Sequence, residues 1–393
     1  VNRLQHTPEG FRDIYRDECL KRNHVLTKLI GIIQSYGYDQ IETPTVEFFD
    51  IFGTDIGTTP SKELYKFFDR DGNTVVLRPD FTPSVARAAS TYFTDVKKPL
   101  RLYYQGKTFV NNQSLRGRLR ESTQLGGELI GDSSMDADAE VISLVCNIFR
   151  SVGINEFKIS LTHSDFFKSL INESNLTEED EIRLRDLISN RNYFGLEEYL
   201  EERNLEEDLK NLFLLMGPDY LRKDSTEDAI QLASKYPSIQ RDLLYLKELI
   251  ERLDYYGVSQ YVALDLGTIS SFRYYTGIIF SGFTFGSGEP LVKGGRYDSL
   301  LSNFGKQTPA IGFGFDIDEL IQALTRQDID LMPHRERTVI VYDNKSRIKA
   351  ISRALGIREG GRICELYYSS DSTDSQLKKE YPDYTIIDLR EGN

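Results

Sequence analysis

The sequence predicts an α+β protein: a largely antiparallel sheet flanked by helices, with a helical insertion and a small C-terminal α/β domain. Three observations lead there. Over the first 160 residues, β-branched and aromatic runs interleave with helical patterns, but outside strict β–α alternation. A Leu- and Glu-rich stretch then separates these runs from further ones of the same kind. Beyond the segment Met332-Pro333-His334-Arg335-Glu336, strand and helix patterns alternate regularly. The expected divisions are a core over 1–163 and 257–328, an insertion over 164–256 and a C-terminal domain over 334–393.

The first element is a helix over 14–36. Leu20, Val25, Leu26, Leu29, Ile30 and Ile33 recur at helical spacing, and Gly37 stands just past the end as a stop. Strands are expected at 74–78, 100–105, 124–130 and 157–162, each bounded by Gly, Asn or Asp turns. A helix over 136–152 opens on Asp136, Asp138 and Glu140, which suit the positive end of the helix dipole, and closes at Gly153. Within the insertion, Thr177 with Asp180 reads as a capping pair, and the last helix spans about 238–256. Strands resume at 261–266, 274–280 and 310–315, with Gly286-Ser287-Gly288 as a hairpin tip and Gly294-Gly295 as a turn. The C-terminal domain reads as strand 338–342, helix 345–355, strand 362–368, a short helix near 372–379 and strand 384–389.

Composition narrows the function. The 393 residues carry a net charge of −13, which disfavours a large nucleic-acid footprint because phosphate neutralisation drives such binding. The insertion holds 22 acidic against 12 basic residues, so most of the excess lies there, either as a solvated face or as a subunit contact. No apolar run approaches the ~20 residues of a membrane span, and the first residues show no apolar signal region, so a cytoplasmic protein is expected. Cys19, Cys146 and Cys364 are dispersed and read as buried free thiols; the four histidines lack metal spacing, and no metal or cofactor is expected.

Five stretches in order resemble the histidyl-tRNA synthetase family, a class II aminoacyl-tRNA synthetase fold. Pro8-Glu9-Gly10-Phe11-Arg12-Asp13 and the following helix resemble the start of its core. Leu77-Arg78-Pro79-Asp80-Phe81-Thr82 is similar to its amino-acid-binding strand. Tyr103-Tyr104-Gln105-Gly106 through Arg116-Gly117-Arg118-Leu119-Arg120-Glu121 to Gln124 resembles motif 2. Ser270-Ser271-Phe272-Arg273-Tyr274-Tyr275-Thr276-Gly277 resembles the histidine-specific RGLDYYTG. Gly294-Gly295-Arg296-Tyr297-Asp298 through Phe313 resembles motif 3.

The departures fall where such a site needs charge. The family's motif 2 FRYE is Phe109-Val110-Asn111-Asn112 here, so its phosphate-binding arginine is Val110. The arginine and aspartate of RGLDYYTG become Ser270 and Arg273, and the GxER ending motif 3 presents Asp316 and Glu319. A developing polyphosphate transition state needs fixed cations, each worth about 3–4 kcal/mol, so this pattern argues against adenylyl transfer and no catalytic residue is assigned.

A synthetase-like core without synthetase charges resembles the ATP phosphoribosyltransferase regulatory subunit family. That resemblance implies a non-catalytic partner of a short-form catalytic subunit, a homodimer within a hetero-oligomer (a hetero-octamer), and L-histidine as effector of feedback inhibition in histidine biosynthesis. The alternatives are an active histidyl-tRNA synthetase or another adenylate-forming paralogue. By resemblance, the ligand-binding candidates are Asp80, Thr82, Arg118, Gln124, Glu128, Tyr274 and Tyr275. The carboxylates would meet an ammonium or imidazole, Thr82 and Gln124 would add neutral hydrogen bonds, and the tyrosines would wall the ring. Arg116, Arg118 and Arg120 form a basic loop open to an anion or to solvent. The 57 residues from Arg337 to Asn393, 10 basic and 9 acidic, suit docking better than RNA capture.

Overall fold

Helix α1 (Arg16–Ser35) forms where its sequence stripe requires: Val25, Leu26, Leu29 and Ile33 are buried along one side, and Gly37 takes φ +81° just beyond its end. The computed structural model describes residues 3–53, 59–112, 119–203, 205–217, 223–269, 274–333 and 335–390. The chain divides into two compact units, residues 1–331 and 332–393.

In the first unit, β1 (Asp39–Gln40), β2 (Val46–Phe48), β3 (Lys66–Phe68) and β4 (Thr74–Leu77) precede α2 (Thr82–Tyr92). Strands β5 (Leu100–Phe109) and β6 (Glu121–Ile130) lead to α3 (Met135–Ser151) and β7 (Phe157–His163). Six helices follow: α4 (Phe166–Ser174), α5 (Glu178–Ser189), α6 (Tyr193–Glu201), α7 (Glu207–Leu214), α8 (Lys223–Leu232) and α9 (Pro237–Tyr255). Then come β8 (Val262–Leu264), β9 (Ile278–Thr284), β10 (Val292–Arg296), β11 (Ala310–Asp316) and α10 (Ile317–Arg326).

The main sheet has eight strands in the order β1-β5-β6-β11-β10-β9-β7-β8. Its two end pairs are parallel and its inner pairs antiparallel. Parallel neighbours need a crossover connection, and the six helices supply it between β7 and β8. Strand β4 does not belong to this sheet; it pairs with β2 and β3 in a separate three-stranded one. Helix α5 starts at the capping pair: Thr177 Oγ1 accepts the Asp180 amide at 3.2 Å and Asp180 Oδ2 accepts the Thr177 amide at 3.0 Å. Cys146 and Cys364 are buried free thiols, whereas Cys19 is only half-buried and donates to the Ile14 carbonyl at 3.1 Å.

The expected burial of Cys19 is thus corrected, and so are two further expectations. Gly294 and Gly295 lie inside β10, not in a turn, paired with β9 on one side and β11 on the other. The strand expected from Tyr274 begins only at Ile278, so the two tyrosines do not alternate across a pleat.

The second unit places β12 (Arg337–Tyr342) between β13 (Ile363–Tyr368) and β14 (Tyr384–Asp388), all parallel, with α11 (Arg347–Glu359) and α12 (Asp374–Glu380) as connections. Ile340, Ala350, Ala354 and Cys364 form its core.

Candidate ligand cavity over the glycine-floored face of the sheet

Helix α3 closes one face of the main sheet: the Phe149 ring stacks on Phe157 at 4.7 Å and meets Phe315 edge-on at 5.4 Å. The opposite face is hollowed by glycine. Side chains paired across antiparallel strands share a face. Glu128, Gly312 and Gly295 form one such row, and Tyr104, Gly126, Gly314 and Lys293 form the next. A Cβ at Gly312 would land on Glu128 Oε2; one at Gly295 would come within 2.7 Å of the Tyr275 ring, and one at Gly314 within 2.5 Å of Gln124 Nε2. The glycines thus make room for the Glu128, Tyr275 and Gln124 side chains, which line a cavity of about 380 Å³ together with Gly295, Gly312 and Gly314.

Asp80, Thr82, Gln124, Glu128, Tyr274 and Tyr275 all line this cavity. Arg118 lies outside the described residues, as do Arg116, Ser270 and Arg273. Asp80 sits in the turn entering α2, where its Oδ1 accepts the Phe81 amide at 2.6 Å and Gln124 Nε2 at 3.3 Å. Thr82, the first residue of α2, donates to Glu128 Oε1 at 2.9 Å, and the Tyr297 hydroxyl donates to Glu128 Oε2. Tyr274 and Tyr275 precede β9, are both buried on the cavity side, and hold their ring centroids 4.7 Å apart.

Burial dominates the electrostatics. Glu128 is 1% exposed, and desolvation pushes its carboxyl up to about 8, although the Tyr297 and Thr82 hydroxyls pull the other way. Asp316 is pushed up to about 6, again by burial, despite its helix-capping hydrogen bonds. For Asp318 burial is outweighed by the Arg22 hydrogen bond and the Thr123 amide, and its carboxyl lies below the usual range. Among the described residues the lining includes six carboxyl side chains (Asp80, Glu128, Glu289, Asp316, Asp318, Glu319) and one cationic side chain, Lys293.

The two substituted arginine positions in the described residues open onto the same space: Val110 and Glu319 both line it. Gln124 Oε1 and Asn112 Oδ1, on the wall, are buried with no hydrogen-bond partner among the described residues. Unpaired buried acceptors are costly. An N–H-bearing ligand, such as an ammonium or an imidazole, would satisfy them.

The sequence reading did not include Tyr104, Lys293 or Tyr297 among the lining residues. Tyr297 was legible only as part of a motif. Lys293 reaches the cavity through sheet register, which pairs it with Gly314 and, beyond that, Gly126.

Residues 10–320 match the histidyl-tRNA synthetase family. An ATP phosphoribosyltransferase regulatory subunit of Acetivibrio thermocellus is 38% identical over 364 residues, spanning 92% of this chain and 86% of that protein. The crystal structure described as an ATP phosphoribosyltransferase regulatory subunit/histidyl-tRNA synthetase from Bacillus halodurans superimposes with TM-score 0.87 at 32% identity, covering 99% of each chain. The histidyl-tRNA synthetase of Nostoc is similar at TM-score 0.80 and 20% identity, covering 98% of this chain and 91% of that one, a likeness of fold alone.

Proposed function

Since the chain belongs to the ATP phosphoribosyltransferase regulatory subunit family, built on the histidyl-tRNA synthetase fold, we propose that it is a non-catalytic subunit that activates a short-form catalytic partner and transmits feedback inhibition by L-histidine. The observation that carries this reading is the cavity's charge. A site for adenylate formation needs cations around the phosphates. Here Val110 and Glu319 stand at two of those positions, among six carboxyl side chains.

The same cavity suits an amino acid. Asp80, Gln124 and Glu128 offer acceptors, Thr82 adds a hydroxyl, and Tyr274 and Tyr275 wall a ring. Histidine would act by binding one conformation of the assembly more tightly than another, so its effect is limited by that difference in affinity. The chain would work as a homodimer within a hetero-oligomer in the cytoplasm.

The test is co-purification with a short-form ATP phosphoribosyltransferase catalytic subunit, followed by a phosphoribosyl-transfer assay with and without L-histidine. Association, activation and histidine inhibition are expected together. Histidine-dependent ATP–pyrophosphate exchange by the purified chain would instead establish a working synthetase.

A further inference from the structure

Resting on the reading that the cavity takes an amino acid, we propose that Lys293 is the residue that binds the ligand's α-carboxylate. Position 110, where the resembled family carries a phosphate-binding arginine, is valine in this chain and supplies no cation. Lys293 is the cationic side chain that the described lining does provide.

Its position supports the role. Strand β10 lies inside the sheet, between β9 and β11. A lysine in such a strand is normally disfavoured, because both faces of inner strands are usually packed. Lys293 avoids that cost because it is exposed and, with its row neighbour Gly314, faces the cavity. Tyr104 covers Gly126 and Gln124 reaches over Gly314, and Tyr104, Gln124, Gly314 and Lys293 together line the cavity. Glu128 stands in the row on one side and Gln124, paired with Asp316, in the row on the other. A zwitterion in this cavity would have acceptors for its ammonium on β6 and a cation for its carboxylate on β10.

Its charge is uncommitted. Among the described residues, Lys293 makes no side-chain hydrogen bond and no ion pair within 4.0 Å. The arginines near this end of the cavity are engaged: Arg22 holds Asp318, and Arg12 bridges Glu18 at 2.5 Å and Asp318 at 3.5 Å. Amid six carboxyl side chains, Lys293 is, among the described residues that line the cavity, the cation able to offset a ligand's negative end.

The experiment is calorimetric titration of the full chain with L-histidine and with histamine, which lacks the carboxylate, for wild type, Lys293→Met and Lys293→Arg. Removing a charge-assisted hydrogen bond should weaken L-histidine by about 10- to 100-fold. Histamine should bind the methionine variant as well as wild type or better, because a like charge is gone. Arginine should recover most of the histidine affinity. Lys293 is exposed, so the variants should fold, which thermal unfolding would verify. Equal losses for both ligands would make Lys293 a structural residue, and undiminished histidine binding would also overturn the assignment. Wild type that binds neither ligand would overturn the amino-acid reading itself, and this assignment with it.

Discussion

Glu128→Gln should make the protein more stable at alkaline pH, and the gain should vanish in acid. In the unfolded chain this carboxyl ionises near 4.5, whereas burial holds its proton in the folded protein up to about pH 8. Between those values the native state binds more protons than the unfolded state, so stability falls as pH rises. At about 1.4 kcal/mol per pH unit, crossing the whole interval costs at most about 5 kcal/mol, and the part between pH 5 and pH 8 is roughly 3 kcal/mol. Glutamine preserves the shape. Its oxygen can accept from Thr82, which donates to Glu128 at 2.9 Å, and its amide can donate to the Tyr297 hydroxyl once that rotor turns. The assay is urea unfolding of wild type and variant at pH 5, 6.5 and 8. Other titrating groups, such as Asp316, contribute equally to both proteins and cancel in the difference. Near parity at pH 5 and an advantage of roughly 3 kcal/mol for the variant at pH 8 are expected. A difference that does not change with pH would show that Glu128 ionises normally and that the cavity floor is wetter than its burial implies.

Gly312→Ala should cost at least about 3 kcal/mol in urea unfolding, since its Cβ would overlap Glu128 Oε2, which Tyr297 pins, and lie 2.9 Å from the Gly127 carbonyl. Arg191→Gly should raise stability by about 0.5–1 kcal/mol, seen as a higher melting temperature, because Arg191, just past the Asn190 cap of α5, takes φ +55°, a conformation glycine adopts without strain. Asp318→Asn should destabilise by about 3–5 kcal/mol by leaving the buried Arg22 guanidinium without its counter-ion, while the pair Arg22→Met with Asp318→Leu should lose much less.

Helix ends were legible in the sequence because each has a local cause. Gly37 and Gly153 both take positive φ where the helical stripes stop, and Thr177 with Asp180 forms the reciprocal cap that its spacing implies. Strand β10 was not legible. Its sequence, Val-Lys-Gly-Gly-Arg, has two strong turn residues and two charges, and its reason for being a strand lies elsewhere in the chain. A Cβ at Gly294 would strike the Phe280 ring and the Gly312 carbonyl, so only bare backbone fits between β9 and β11. Tyr274 and Tyr275 failed for a related reason: aromatic residues favour strands, but both rings here turn into the cavity ahead of β9. Helix α2 went unread because its small residues, Ala86, Ala88, Ala89 and Ser90, are buried on most sides and give no clear stripe. The candidate site was legible through motif resemblance, which brought six described residues to one cavity; the neighbours that complete it come from sheet register, which sequence spacing does not encode.

On the proposed reading, register and capping together account for a cavity that favours a zwitterion over a triphosphate. The first turn of α10 offers backbone N–H groups of the kind that bind phosphate. In this chain Asp316 Oδ1 already accepts them, from the Asp318 amide at 2.9 Å and the Glu319 amide at 3.1 Å. The same turn carries Asp318, which engages Arg22 and Arg12. The devices that attract anions at this end of the cavity are therefore occupied by the protein's own carboxylates, and Glu319 adds a further negative group beside them. A phosphate at this helix terminus would have to displace the Asp316 cap, which stabilises the helix by about 1 kcal/mol. A zwitterion in the place proposed above, among Asp80, Gln124, Tyr274 and Tyr275, would leave that cap intact. Its carboxylate is a single negative charge, which one lysine can balance. On the proposed reading, Asp316 and Glu319, at the positions of the motif 3 glycine and arginine, fill the end of the cavity that would attract phosphate and leave the space beside Asp80, Gln124, Tyr274 and Tyr275 open.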